Sequence, residues 1–318
     1  MYCHDYWTSP QSRSGYRSFS PALQGWVLGT HLMTSLIQCV PNFSEGRDPE
    51  AMEAIVEAVR ETPGVRLADW SADPDHNRMV VTFVGPPDAV RMAAIAATGA
   101  AIRVIDLNKH QGVHPRLGAL DVLPFVPLRD VTLEECAALA VNVGRELSNQ
   151  FQLPVYLYEA ASPEGRSLPS VRKGAFQQFA PDFGPAVPHP TASAAVVGAR
   201  GPLIAYNVNL AASDIAIAQQ IARELRGHPN FPGVRALGLA LASKGLIQVS
   251  MNITRPAETS LFHVFSYIVR RALELGAEAV GSEVIGALPG YTAFGVLGDA
   301  LQAELKPGQV LLENWEED

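Results

Sequence analysis

The stretch KHQGVHPRLGALDVLPFVPL, residues 109–128, sets His110, His114 and Arg116 in one short segment, with Asp121 close behind. The two histidines are four apart, the spacing of a helical zinc pair. Yet Gly112 lies between them, and Pro115 biases His114 toward extended backbone, so the two rings do not share a helical face. No HExxH motif is present and the nearest other histidine, His76, is isolated, so no metal is expected. Cys39 and Cys136 fall within apolar segments and read as small core residues rather than nucleophiles. The absence of GxSxG, GxGxxG and Walker patterns removes the usual support for serine-nucleophile, nicotinamide, flavin or ATP chemistry. What remains is a histidine with an ordinary pKa of about 6.5, able to take and return a proton at neutral pH. His114, held by Pro115 between Gly112 and Gly118, is either that group or the cap of a turn. Arg116 beside it suits a carboxylate, and Asp121 either orients His114 or pairs with Arg116.

These residues need a scaffold, and hydrophobic periodicity outlines one. Residues 35–46 read as a strand ending in a polar turn, where Asn42, Ser44 and Glu45 either line a site or begin the next helix. Residues 48–62 read as a helix with Asp48 as N-cap, Pro49 in the first turn and Pro63-Gly64 as the stop. Two β-rich runs flank ADPDH, residues 72–76, as a hairpin, followed by an alanine-rich helix over 86–105. A strand at 122–128, a helix at 131–151 and a buried strand at 154–159 complete the first half.

The second half repeats the pattern. A strand at 201–210 leads to a helix capped by Ser213, a hairpin turns around Lys244-Gly245, and a helix, a strand and a last helix follow. Both halves run β-α-β-β-α-β, the order of a ferredoxin-like split βαβ unit, which predicts an α+β protein of two such subdomains with a cleft between them. The expected divisions are 1–32, 33–194 and 195–318. The aromatic, serine-rich and aperiodic residues 1–32 read as a disordered extension, with the functional chain beginning near Met33. The Pro-, Gly- and Ser-rich stretch 162–193 reads as a long connection that also carries Arg166, Arg172, Lys173 and His189.

Composition narrows the partners. A net charge of −8 over 318 residues argues against a nucleic-acid binder. The apolar runs fall short of the ~20 residues of a membrane span, and three scattered cysteines fit a reducing, cytoplasmic compartment.

Several separated motifs then agree in order and spacing: VPNFSEGRD at 40–48, NRMVVTFVG at 77–85, the 109–127 stretch, PVYLYE at 154–159, PDFGP at 181–185, VGAR at 197–200 and IAYNVNL at 204–210. Together they resemble the glutamate formimidoyltransferase family, the formiminotransferase domain of formiminotransferase-cyclodeaminase and its stand-alone bacterial forms. The resemblance implies two ferredoxin-like subdomains enclosing a folate tunnel, a homodimer, and tetrahydrofolate as co-substrate without a metal. It implies transfer of a formimino group from N-formimino-L-glutamate to N5 of tetrahydrofolate, with His114 as general base and acid. Formyl exchange between 5-formyltetrahydrofolate and glutamate, or folate binding without catalysis, are the alternatives.

The family's folate segment corresponds to residues 184–193, with Gly184, Pro185, Ala186, His189, Pro190 and Thr191 as contacts. Ala192-Ser193 stand where the animal enzymes carry Trp-Gly. Ser71 replaces a family acid, leaving Asp73 or Asp75 to supply a carboxylate from the same turn. Asn77, Arg78, His110, Arg116, Asn207 and Asn209 complete the expected binding set, Arg78 as a candidate for a substrate carboxylate.

Overall fold

The computed structural model describes residues 35–74, 76–111, 116–241 and 244–303. The expectations for residues 1–32, for Asp75 and for His114 lie outside these. A first strand runs as β1 (Leu36–Cys39) and β2 (Asn42–Phe43), interrupted at Val40-Pro41. Pro41 has no N–H to give the ladder, though its carbonyl still accepts from Val81 at 3.0 Å.

α1 (Pro49–Arg60) starts as the sequence predicts: the Asp48 carboxylate accepts from the Glu50 and Ala51 amides at 3.0 and 3.2 Å. β3 (Arg66–Asp73) and β4 (Arg78–Gly85) form the expected antiparallel hairpin, followed by α2 (Pro87–Val104) and β5 (Leu120–Arg129). α3 (Leu133–Phe151) opens on a capping box between Thr132 and Glu135, and leads to β6 (Val155–Glu159), α4 (Leu168–Gly174) and β7 (Ala195–Ala199). Across the sheet the order is β3, β4, β1/β2, β5, β7, β6. Its first four positions are antiparallel, and β7 and β6 join in parallel beyond β5. Ile37, Phe43, Met79, Phe83, Leu123 and Phe125 are fully buried in the main core beneath the helices.

The stretch read as a connection is more structured than expected. Ser167 caps α4, whose Val171 packs with Tyr156 and Val196 in a second small core. β7 is bonded between β5 and β6, so the first sheet runs on to Ala199.

The second sheet comprises β8 (Ile204–Ala211), β9 (Val234–Leu241), β10 (Leu246–Ile253) and β11 (Glu278–Ile285), with α5 (Ile215–Leu225), α6 (Leu261–Glu274) and α7 (Gly290–Leu301). Its order is β11-β8-β10-β9, every pair antiparallel. Alternation along β8 turns Ile204, Tyr206, Val208 and Leu210 into the core with Ile221, Val264 and Ile268. The N-cap of α5 is Asp214 rather than Ser213; its carboxylate accepts from the Ala216 amide at 2.9 Å, and the helix begins one residue later than expected. Among the described residues no helix is long and apolar enough to cross a membrane.

α5 and α6 are tied through Glu224. Its two oxygens accept from Arg271 Nε and Nη2, both at 2.8 Å, and from Tyr267 Oη at 2.9 Å. The Arg271 bonds hold the Glu224 carboxyl down at about 2. Because the folded value lies below the unfolded one, the stabilisation is present above the ordinary carboxylate range and is lost as pH falls toward 2. Glu224→Gln is therefore expected to lower Tm at pH 7 by on the order of 2–4 °C. The gap to the parent should close as the melts are repeated at progressively lower pH; a gap that stays constant with pH rules out the ion pair as its cause.

Candidate active site

The segment between α2 and β5 carries His114-Pro115-Arg116, the HPR motif, and both of its flanks are anchored by one residue of the neighbouring hairpin. Asn77 is buried with φ of +49°, a left-handed conformation that asparagine tolerates better than most residues. Its side-chain oxygen accepts from the Gly46 amide at 2.9 Å and its amide nitrogen donates to the Gln111 carbonyl at 3.1 Å. Its own carbonyl accepts from His110 Nε2 at 3.1 Å and from Arg116 Nη1 at 3.3 Å. Arg116 Nη1 lies 2.6 Å from His110 Nδ1 and 2.5 Å from Nε2, a guanidinium position that suits a neutral ring. Burial and the adjacent Arg116 guanidinium push the His110 pKa down, which favours this neutral form. Arg116 also reaches the His76 carbonyl at 3.0 Å.

The segment's other supports come from residues 189–193. His189 and Ser193 exchange backbone bonds at 2.8 and 3.1 Å, and His189 Nδ1 accepts from the Thr191 and Ala192 amides. Burial lowers this imidazole's pKa as well. The small loop so formed offers its carbonyls outward. Thr191 accepts from the Leu107 amide at 2.9 Å, Pro190 from Asn108 Nδ2 at 2.8 Å, and Ala192 from the Ala119 amide at 3.0 Å. The stretch expected to contact folate thus bonds residues on both sides of the HPR motif, Leu107 and Asn108 before it and Ala119 after it. Gly184, at φ +89°, starts it where a Cβ would stand 2.5 Å from Ser148 Oγ and 2.8 Å from the Leu153 carbonyl. Pro185 is half-buried, and the exposed Ala186 borders a shallow hollow with Phe176 and Phe179.

Beneath this lies a charged corner. Asp121 is 1% exposed; one carboxylate oxygen accepts from the Leu117 amide at 2.8 Å, and the other takes Arg78 Nη1 at 2.9 Å together with Arg172 Nη2. Arg78 Nε and Nη2 also converge on the Asn42 side-chain oxygen at 3.1 and 2.6 Å. Burial lowers the Arg78 guanidinium to about 10, with Asp121 opposing the shift, so it stays charged at neutral pH. Among the described residues Arg78 and Arg172 make hydrogen-bonded ion pairs with Asp121, and the expected pairing with His114 lies outside them. Arg172 was absent from the expected site because its stretch read as a connection. The pattern SLPSVRKG, with a serine cap and a first-turn proline, was the signal for the helix that carries it.

The remaining expected residues have local duties. Ser44 Oγ donates to the Gly118 carbonyl at 2.8 Å. Glu45 accepts from the amides of Gly46, Arg47 and Asp48 at 2.9, 2.8 and 3.0 Å, organising the turn before α1. Asp73 closes the hairpin turn on His76, accepting from its amide at 2.9 Å and lying 2.8 Å from Nδ1. On β8, Asn207 bonds Glu283 at 3.1 Å and Asn209 accepts from Gln248 at 2.9 Å, both within the second sheet. Among the described residues no group of three or more His, Cys, Asp or Glu is placed to hold a metal ion.

Residues 36–200 match the profile of the formiminotransferase domain, N-terminal subdomain, and residues 205–296 that of the formiminotransferase domain. The chain belongs to the formiminotransferase domain family. It is 39% identical over 284 residues to the glutamate formimidoyltransferase of Streptococcus pyogenes serotype M1, covering 86% of this chain and 95% of that protein. It is also 39% identical over 269 residues to the glutamate formimidoyltransferase of Thermoplasma acidophilum, covering 80% and 88%. Against the formimidoyltransferase-cyclodeaminase of Sus scrofa it is 44% identical over 275 residues, covering 81% of this chain and 51% of that protein, so it spans about half the length of the bifunctional relatives.

Proposed function

We propose that this chain is a glutamate formimidoyltransferase: it moves the formimino group of N-formimino-L-glutamate to N5 of tetrahydrofolate, giving 5-formiminotetrahydrofolate and L-glutamate. The observation that supports this reading is that the residues flanking the HPR motif are hydrogen-bonded to Asn77 on one side and to residues 190–192 on the other, so the two stretches that the resemblance assigns to proton transfer and to folate lie on a shared set of bonds. In the reaction, N5 attacks the amidine carbon and the N5 proton passes to His114. The tetrahedral intermediate then breaks its bond to the glutamate nitrogen, which receives a proton back from the same ring. One neutral imidazole serves both transfers. Neutral His110, held by Asn77 and Arg116, supports the segment and keeps a second imidazolium from forming beside the base.

The order β11-β8-β10-β9 supports a ferredoxin-like second subdomain, and β5, β1/β2, β4 and β3 support the same plan in the first, extended by β7 and β6. We place the division between these subdomains at 200–203 and the folate tunnel between them, with Asn207 and Asn209 facing it. A homodimer in the cytoplasm, without a resident metal, completes the proposal.

Incubating the purified protein with tetrahydrofolate and formiminoglutamate should release glutamate and form 5-formiminotetrahydrofolate. Turnover only with 5-formyltetrahydrofolate and glutamate would reassign the donor, and folate binding without turnover in either mixture would sink the enzyme reading.

A further inference from the structure

Arg172 is the polar group of this region that the proposed chemistry leaves without a task. Its Nη2 lies on the Asp121 oxygen that also takes Arg78, while its Nε is buried with no hydrogen-bond partner. A buried guanidinium N–H without an acceptor is rare, because the lost hydration is not replaced. Nε and Nη2 form one edge of the guanidinium fork, the edge that grips a carboxylate with two parallel bonds. The side chain is 18% exposed, so the corner is shielded but not sealed. Among the described residues Asp121 is the acid paired with Arg172, and it divides that oxygen with a second guanidinium. A further anion at this edge would satisfy Nε and offset the crowding of positive charge.

Resting on the function proposed above, we infer that Arg172 receives a carboxylate of the substrate, the α-carboxylate of the formimino-amino-acid donor. Position selects that group. Asp121 holds the Leu117 amide at 2.8 Å, and Leu117 follows His114 by three residues, a chain length of at most roughly 10 Å. In the donor the α-carboxylate and the formimino nitrogen share one carbon, so a receiver linked through Asp121 to the segment that carries the base suits it. The glutamate of the folate is held away from N5 by the aminobenzoyl ring. Asp121 then has two duties, fixing the end of the HPR segment and aiming the arginine that fixes the donor.

The test compares the parent protein with Arg172→Gln and Arg172→Lys, using formiminoglutamate and its α-carboxamide analogue as donors. Arg172→Gln should raise KM for formiminoglutamate about 10- to 100-fold, from the loss of a charge-assisted pair, and leave KM for tetrahydrofolate within about twofold. Arg172→Lys should recover part of the loss. The parent should prefer acid over amide by a similar factor, and Arg172→Gln should lose that preference, which a merely structural role would not produce. An unchanged donor KM, or an acid preference that survives in Arg172→Gln, overturns the inference. A rise in the tetrahydrofolate KM alone assigns the carboxylate to the folate and also overturns it. Should Arg172→Gln fail to fold by circular dichroism, Arg172→Lys and the acid–amide comparison decide. If the parent transfers no formimino group, the proposed function fails instead. Calorimetric titration with L-glutamate then judges the arginine separately, with binding to the parent lost in Arg172→Gln and partly kept in Arg172→Lys upholding it, and equal binding in Arg172→Gln overturning it.

Discussion

Replacing His114 with alanine is expected to lower kcat for formimino transfer by about 10²- to 10⁴-fold, the usual contribution of a positioned general base. KM for either substrate should move little, because the lost interaction belongs to the proton transfers rather than to binding. The supports on either side make this a clean experiment. His110 and Gln111 are bonded to Asn77 before the motif, and Arg116, Leu117 and Ala119 are bonded to Asn77, Asp121 and Ala192 after it. The residues on either side of His114 therefore have anchors independent of its ring. Added imidazole should restore part of the rate in the alanine variant and none in the parent. Steady-state rates at saturating folate, with and without imidazole, are the measurement. A variant retaining parental kcat removes His114 from the mechanism.

The second large effect is expected at Gly118. A Cβ there would lie 1.7 Å from the Ala194 carbonyl oxygen and 2.8 Å from the Leu120 carbonyl oxygen. Both are backbone atoms of strands or their flanks, so neither can swing aside as a side-chain tip would. Gly118→Ala must separate the HPR segment from residues 189–194, breaking the Gly118–Ser193 bridge and the Ala119–Ala192 bond. A loss of about 3–5 kcal/mol in urea unfolding is expected, in the upper range for a single substitution. Gly201→Ala is the matched control: nothing lies within 4 Å of its Cβ position, and stability should stay within about 0.5 kcal/mol. Equal stability for the two variants would show that the backbones are not in contact at Gly118.

Local signals carried most of the fold. The Asp48 cap, the 72–76 turn and the alternation along β8 each depend on neighbours in sequence, and each element formed where its pattern lay. What escaped was settled by distant partners. β7 is short and apolar, and only parallel pairing with β5 and β6 assigns it to the first sheet. Arg172 looked like a cation on a connection because its anion, Asp121, is fifty-one positions away. The same holds for Ser44 and Glu45: residue type made them candidates, but their bonds to the Gly118 carbonyl and to three successive amides are visible only in three dimensions. The resemblance across the separated motifs pointed to the family; it contained nothing about which residues brace the 109–127 stretch.

Asn77 shows how narrow such bracing can be. Aspartate would keep the acceptor for Gly46 but has no N–H to give Gln111 when ionised. Glycine would accept the positive φ and surrender both side-chain bonds. Alanine would lose the bonds and carry the strain as well. Position 77 thus admits one side chain that combines a donor, an acceptor and an easy left-handed turn. A library randomised at this codon and selected for formimino transfer should return asparagine almost alone, although the residue needs no contact with either substrate.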